Sequence, residues 1–569
     1  MKSSAIKSSV VQIVCFYLLV DFFYFCDGIN IKGYVFGRHF ALYFLLSFRR
    51  KMSFLFDLSF VCIIFATKIR KDKMLEEICT NTEAFIVQMP KEQRKQYGQF
   101  FTSIETARFM ASLLTIDSEK NEVYALDAGA GTGVLSVALI ERCCKVFTPS
   151  QTLHLTCYEN DPNVLPLLKS NLSFAKQHCT FCLEYNIIEK NYILSQKDLL
   201  RQNIFSTEAP ACYDLIIGNP PYKKISKDAP EALSLPMVCH GAPNLYFLFA
   251  TMGIENLKQE AEMVYIIPRS WTSGAYFEKF RKFLLEHTRI TYIHLFKSRN
   301  KVFDKESVLQ ETMIVRLKKT HEPVTHVTIT TSESSKNFCD IRKMDIPYHI
   351  VVSSNHSYVH LVTDEEEMAV LEKINKLGKT LPDLGLKMKT GLVVDFRTQE
   401  LLRNSENADT IPLIYSQHIK DGRVKFPQGK ENEYILKKRR SLMQENRNYL
   451  FLKRFTAKEE RRRLQCGIYL KRYLPKCTFI SSQNKVNFID GLQGLSECVV
   501  YGLYVIFNST LYDIYYRILN GSTQVNSTEI NSMPLPSMKI IEAMGKQLIQ
   551  NKDLSEQNCN QILNRYVHE

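Results

Sequence analysis

Val123 to Asp127 reads as a strand ending in an acid, and it runs at once into Ala128-Gly129-Ala130-Gly131-Thr132-Gly133 and an apolar helical run from Val134 to Ile140. Strand, glycine turn and helix in this order are the βα unit of a doubly wound sheet, and no other stretch constrains the chain as much. Glycines let the backbone close tightly and approach a ligand lying over the helix N-terminus. A purely structural turn has the same local signature, so the neighbouring strands decide between the two.

Leu153 to Tyr158 is one such neighbour, and it ends in Glu159-Asn160-Asp161. A carboxylate at the carboxyl end of that strand lies where a ribose diol would sit. The glycines are spaced GxGxG, and Glu159 follows Gly129 by 30 residues, whereas the dinucleotide fingerprint has GxGxxG and about 20. S-adenosylmethionine fits this pattern better than NAD. A glutamate that merely ends a strand would look the same in isolation.

Asp214-Leu215-Ile216-Ile217 reads as a further parallel strand beyond the topological switch, and it stops at Gly218-Asn219-Pro220-Pro221-Tyr222. Open α/β sheets hold their ligands at that point. Two prolines fix φ and remove two N–H donors, which stiffens the turn and leaves the carbonyls of Asn219 and Pro220 to accept hydrogen bonds. An exocyclic NH₂ such as that of adenine needs two acceptors, and the Asn219 side-chain oxygen with the Pro220 carbonyl supplies them. The nitrogen is thereby drawn from planar towards tetrahedral, and its lone pair is freed for a sulfonium methyl group. Tyr222 is expected to stack on the extruded base. A loop simply terminated by Pro-Pro is the alternative.

With these residues the chain resembles the γ-type DNA adenine-N6 methyltransferases of restriction–modification systems, in particular BsuBI/PstI-type modification methylases, from about residue 97 to 536. Further motifs carry the likeness in order: Tyr97-Gly-Gln-Phe-Phe-Thr102-Ser, Asp198-Leu199, Asn244-Leu-Tyr246, Ile267-Pro-Arg-Ser-Trp271, Thr390-Gly391-Leu-Val-Val-Asp395-Phe-Arg397 and Gly521-Ser-Thr-Gln524-Val-Asn526. The resemblance implies a doubly wound, seven-stranded α/β methyltransferase sheet with a C-terminal target-recognition domain. It implies S-adenosylmethionine as cofactor, with Thr102 at its methionine end and Asp127, Ala128, Gly129, Gly131 and Gly133 framing it. Glu159 would hold the ribose hydroxyls, and Asp198, beside Leu199, would accept from the cofactor adenine. Asn219, Pro220, Pro221 and Tyr222 keep the catalytic roles given above, and Phe303 would be a second aromatic against the flipped base, ordinary core packing being its alternative. Double-stranded DNA is the implied substrate, with CTGCAG as target and a cognate restriction endonuclease as functional partner; a monomer without stable membrane association is expected. The chain departs from the family in having Asp-Ala-Gly where many relatives have acid-Pro-Ala/Ser, and in its first 73 residues.

Direct in-line transfer calls for positioning and electrostatics, with no metal and no nucleophilic cysteine. A cytosine-C5 enzyme needs a Pro-Cys nucleophile, and the chain has no Pro-Cys dipeptide. N4-cytosine methylation uses the same two acceptors and stays open. A protein-glutamine methyltransferase, a bifunctional enzyme with its own nuclease and a non-catalytic DNA-binding protein are weaker alternatives: the first needs no basic module after the catalytic domain, the second lacks a nuclease motif, and the third would not keep both turns intact.

Charge locates the basic module. Residues 430–472 hold 14 Lys/Arg against 5 Glu, and residues 1–73 hold 11 Lys/Arg against 4 Asp, out of a formal net charge of +14 for the whole chain. Within 430–472, Lys437, Lys438, Arg439, Arg440, Lys453, Arg454, Arg461 and Arg462 are candidates for phosphate contact, interleaved with Tyr449, Phe451, Phe455, Tyr469 and Tyr473. Gln524 and Asn526 lie in a polar loop that can face DNA. A solvated charged face is the alternative for such a run.

Length allows several domains. Residues 74–345 are expected to form the methyltransferase domain, 346–382 a linking region with a helix at Glu365 to Leu377, 383–540 the target-recognition domain and 541–569 a tail. Residues 1–73 contain three apolar runs, each shorter than the roughly 20 residues a bilayer needs, so they read as upstream sequence translated from an early start, with a membrane anchor as the alternative. The 16 cysteines include one Cys-x-x-Cys pair, Cys179 and Cys182, and no second pair. Neither a disulfide framework nor a zinc site is favoured, which points to a reducing cytoplasm.

Overall fold

A computed structural model describes residues 74–88, 102–196, 212–296 and 311–567, apart from 336–337, 339, 354–356, 458 and 521–522. The leader 1–73 and the expected site residues Asp198, Leu199 and Phe303 lie outside the described residues.

The central sheet follows from which apolar runs are buried on both faces. Strands β1 (Glu122–Ala128), β2 (Thr152–Tyr158), β3 (Cys182–Ile188), β4 (Tyr213–Gly218), β5 (Leu257–Pro268), β6 (Arg289–Phe296), β7 (Thr312–Lys318), β8 (His326–Ser332) and β9 (Arg342–Pro347) are arranged in the order β3-β2-β1-β4-β5-β7-β6-β8-β9. β1 pairs in parallel with β2 on one side and with β4 on the other, with Asp127 opposite Ile217. The chain order reverses between β1 and β4, so the glycine turn and the Asn219 turn leave neighbouring strands at the same edge. β7 runs antiparallel between β5 and β6. The seven strands expected are therefore present, and β8 and β9 add two more, β8 parallel to β6 and β9 antiparallel to β8.

The start of β4 is fixed as firmly as its end. Asp214 accepts from Lys120 Nζ at 2.8 Å, Lys258 Nζ at 2.9 Å and the Tyr124 amide at 2.9 Å. Burial alone would raise this carboxyl, but the two lysines and the amide hold it below its ordinary value. Behind the strand, helix Leu245–Asn256 is buried on almost every side and is capped by Asn244, whose side chain accepts from the Tyr246 amide. The helix after the glycine turn, Val134–Cys143, is enclosed in the same way.

C-terminal to the sheet, helix Glu365–Asn375 begins at an Asp364 cap and buries Leu371 and Ile374. A six-stranded and a five-stranded sheet follow. In the former, Leu386–Thr390, Val486–Gly491, Tyr449–Lys453 and Cys466–Tyr469 pair antiparallel. Tyr449, Phe451 and Tyr469 form the core between them with Phe488. These three aromatics, expected beside the lysines and arginines at a nucleic-acid surface, instead fill the interior.

The stretch expected as a tail is also packed. Helices Met538–Asn551 and Glu556–Val567 bury Ile541, Met544, Leu548, Ile562 and Leu563 in the core shared with β5 and helix Glu365–Asn375. Helix Met538–Asn551 crosses Glu497–Phe507 with backbones touching, because a Cβ at Gly502 would lie 1.9 Å from the Ile541 carbonyl oxygen and one at Gly545 1.8 Å from that of Cys498. Lys73–Glu569 accordingly forms one compact unit. No helix among the described residues is long and apolar enough to cross a membrane.

Candidate active site

A pocket of about 300 Å³ opens where β1, β2 and β4 end, lined by Thr102, Gly129, Glu159 and Asn219 among others. Its floor is the glycine turn. Gly129, Gly131 and Gly133 have φ of 78°, 55° and 85°, a region that side chains disfavour. The amides of Gly129 and Ala130 both donate to the Tyr158 carbonyl at 2.9 Å, which ties the turn to the end of β2.

Glu159 shapes the wall. Its Oε2 accepts from the Gly131 amide at 2.9 Å, and its Oε1 accepts from the amides of Asn160 and Asp161 at 2.8 Å each. Burial raises its pKa even though those three amides favour the carboxylate. Asp127 lies behind the turn, fully buried with Ala128 and outside the pocket lining. Ser136 donates to its Oδ2 at 2.7 Å. Burial, opposed by Ser136 and reinforced by Glu159, pushes its pKa up to about 7. Asp127 thus braces the turn from below, and Gly133 opens the helix that follows.

At the end of β4, Asn219 faces this pocket with Pro221, and Pro220 is buried beneath them. Asn219 Nδ2 donates to Thr102 Oγ1 at 3.2 Å. The Tyr222 hydroxyl lies 2.9 Å from Asn219 Oδ1 and 2.8 Å from the Ile266 carbonyl oxygen, so one proton is shared between two acceptors. The Tyr222 ring, expected as a stacking surface, is only 7% exposed and meets Tyr246 edge-on at 6.2 Å. In this conformation it acts on Asn219 through its hydroxyl. Tyr222→Phe keeps the ring and removes that hold. It is expected to lower kcat for methyl transfer about tenfold, the scale of one hydrogen bond, with KM for the acceptor within twofold. Unchanged kcat in steady-state assays would return Tyr222 to stacking alone.

The pocket also contains residues that sequence reasoning did not single out: Lys190, Asn191 and Tyr192 after β3, Glu231 on a short helix, and Phe249 on helix Leu245–Asn256. Phe249 Cε1 lies 3.5 Å from where a Cβ at Gly129 would stand. The signal available was the strand end itself, since Glu189-Lys190-Asn191 follows β3 as Glu159-Asn160-Asp161 follows β2. These residues fit the expected S-adenosylmethionine: a carboxylate at the strand end, polar groups after β3, an aromatic wall and a glycine-rich floor.

The basic candidates divide between several places. Lys437, Lys438, Arg439 and Arg440 are exposed; Lys437 donates to the Ala408 carbonyl at 2.7 Å, Arg439 pairs with Glu400 at 3.4 Å and Arg440 stands 4.3 Å over Phe479. Lys453 and Arg454 are half-buried at a strand end. With the Gln524 amide turned to present its oxygen, Arg454 Nε donates to it at 2.9 Å. Arg461 pairs with Glu556 at 2.8 Å. Arg462 is committed to the fold: it is nearly enclosed, pairs with Glu556 and donates to the carbonyls of Phe507 and Ser509, where a helix end needs donors. Asn526 donates to Glu529 and lines, with Arg454 and Thr390, a cleft of about 920 Å³ facing the Pro268–Phe277 loop after β5.

The profile of the Eco57I restriction-modification methylase family matches residues 136–303. The chain is 34% identical to the Type II methyltransferase M.BsuBI of Bacillus subtilis over 469 residues, which cover 81% of this chain and 91% of that protein. It is 33% identical to the Type II methyltransferase M.PstI of Providencia stuartii over 465 residues, 80% of this chain and 90% of that one. Among solved structures, the Type IIL restriction-modification enzyme MmeI in complex with DNA aligns over 88% of this chain and 74% of its own, with a TM-score of 0.47 and 12% identity.

Proposed function

We propose that this chain, which belongs to the Type II methyltransferases of restriction–modification systems, methylates N6 of a flipped-out adenine in double-stranded DNA and so protects a target site from a cognate restriction endonuclease. Its cofactor is S-adenosylmethionine, which supplies an electrophilic methyl group when bound. Glu159 takes a ribose hydroxyl on the one lone pair, on Oε2, that its three amide donors leave unused. Thr102 and Tyr222 hold the Asn219 side chain from two sides. Asn219 Oδ1 then accepts one N–H of the base amine, and the Pro220 carbonyl accepts the other. The amine lone pair turns into the pocket, and the developing charge at nitrogen meets fixed acceptors that need no reorganisation.

The observation that carries this reading is the opening of Asn219 into the same pocket as the glycine turn and Glu159. Expression of the full chain in a host without DNA methylation, followed by genome-wide mapping of modified bases, tests base and site together. N6-methyladenine in one short palindrome is expected, with CTGCAG as the site the family suggests. An active preparation that yields N4-methylcytosine, or no modified base, overturns the assignment.

A further inference from the structure

Two phenylalanines are held out to solvent at one end of the six-stranded sheet. Phe396 is 73% exposed and Phe455 50%. Each is flanked by an arginine along the chain, Arg397 at 5.3 Å from the Phe396 ring centre and Arg454 at 5.7 Å from that of Phe455. Large apolar rings are ordinarily buried, as Tyr449, Phe451 and Tyr469 are in the same region.

The chain segments that carry both rings are braced by the one loop Gln483 to Lys485. On the Phe396 side, Gln483 Nε2 donates to Asp395 Oδ2 at 2.9 Å, Asn484 N donates to the Val393 carbonyl at 2.8 Å, and Gly391 lies so close that a Cβ would stand 2.0 Å from the Gln483 carbonyl oxygen. On the Phe455 side, Arg454 N donates to the Lys485 carbonyl and Arg454 Nη1 to that of Asn484, each at 3.0 Å, while Phe455 bridges to Gln524. The rings are therefore presented on a braced scaffold. The surface continues through Arg454 into the cleft facing the loop after β5.

Resting on the functional reading above, we propose that Phe396 and Phe455 are the base-stacking contacts of the recognition region, engaging nucleobases that unstack when the target base leaves the duplex. An aromatic ring offers a face to any base, and apolar wedges of this kind stabilise locally opened DNA. The Arg397 guanidinium, with Lys453 and Lys485, answers the phosphates, while that of Arg454 is held by Asn484 and Gln524. The charge around the rings, with Arg397, Lys453, Arg454 and Lys485, matches DNA better than a second copy of this basic chain.

The test measures affinity of the full chain for a duplex carrying the site that the unaltered chain methylates. Phe396→Ala and Phe455→Ala are each expected to raise Kd about tenfold, with the dependence of log K on log salt unchanged, because no phosphate contact is lost. Phe396→Trp should retain affinity. A mismatch at the target adenine should recover most of the alanine loss, since the opening is then already made. Alanine variants that bind within twofold of the unaltered chain overturn the proposal, as does a loss that travels with the salt slope. A chain that self-associates through Phe396 while DNA affinity is unmoved overturns it in favour of a dimer contact. If the unaltered chain neither binds nor methylates DNA, the functional reading itself fails and this inference with it.

Discussion

Replacing Asn219 with alanine lowers the rate of methyl transfer by about 10³-fold, the scale found when a preorganised polar group is removed from a developing charge, and leaves cofactor affinity within threefold. The separation follows from where the side chain points. Asn219 Nδ2 is spent on Thr102, and Oδ1 meets the Tyr222 hydroxyl at the pocket mouth. The glycine turn, Glu159 and the residues after β3 line the rest. Removing the amide therefore deletes an acceptor for the substrate amine and little of the cofactor wall. The check is single-turnover transfer to DNA beside calorimetric titration of S-adenosylmethionine. Parallel loss of both would make Asn219 a cofactor residue and sink its catalytic assignment.

What was legible in the sequence was what ends abruptly. β1, β2 and β4 are apolar runs that stop at a glycine turn, a glutamate and an Asn-Pro-Pro turn, so their order and the site between them could be read. β3 was not singled out, because Cys182–Ile188 is a half-exposed edge strand whose burial alternates instead of forming an apolar run. The residues it delivers, Lys190, Asn191 and Tyr192, were missed with it. β8 and β9 escaped as well, one rich in threonine and the other charged at three of its six positions. Phe249 was hidden differently: Leu245–Asn256 is apolar all round, and such a helix carries no pattern telling which face meets a ligand.

The basic stretch shows the converse error. A count of charges along residues 430–472 marks the region, yet pairing decides which charges are free to meet phosphate. Arg462 is held by Glu556 and two carbonyls, and Arg463, next along the chain, is fully buried. Spacing along a strand, in the same way, sent Tyr449, Phe451 and Tyr469 inward. Neither pairing nor strand facing is carried by composition.

Asp127→Asn is expected to change the pH dependence of stability by about 4 kcal/mol across the acid range. The carboxyl is fully buried, and burial, with Glu159 nearby, lifts its pKa from an ordinary 3.8 to about 7 in spite of the Ser136 hydrogen bond. Below about pH 4 the group is protonated in both folded and unfolded chains and carries no penalty. Between about pH 4 and 7 the unfolded chain releases this proton while the folded chain keeps it, so folding loses about 1.4 kcal/mol for each pH unit. Above 7 both forms are ionised and the loss is complete. An asparagine at 127 keeps the shape without the proton, so the stability of the variant relative to the unaltered chain should climb from pH 4 to 7 and then level, whatever constant offset its amide introduces. Urea unfolding of both chains at pH 4, 5, 6, 7 and 8 without cofactor reads this directly. A stability difference that stays flat over the series would mean that the Asp127 charge is solvated or neutralised within the fold, and the brace beneath the glycine turn would then have to be assigned to its hydrogen bond with Ser136 alone.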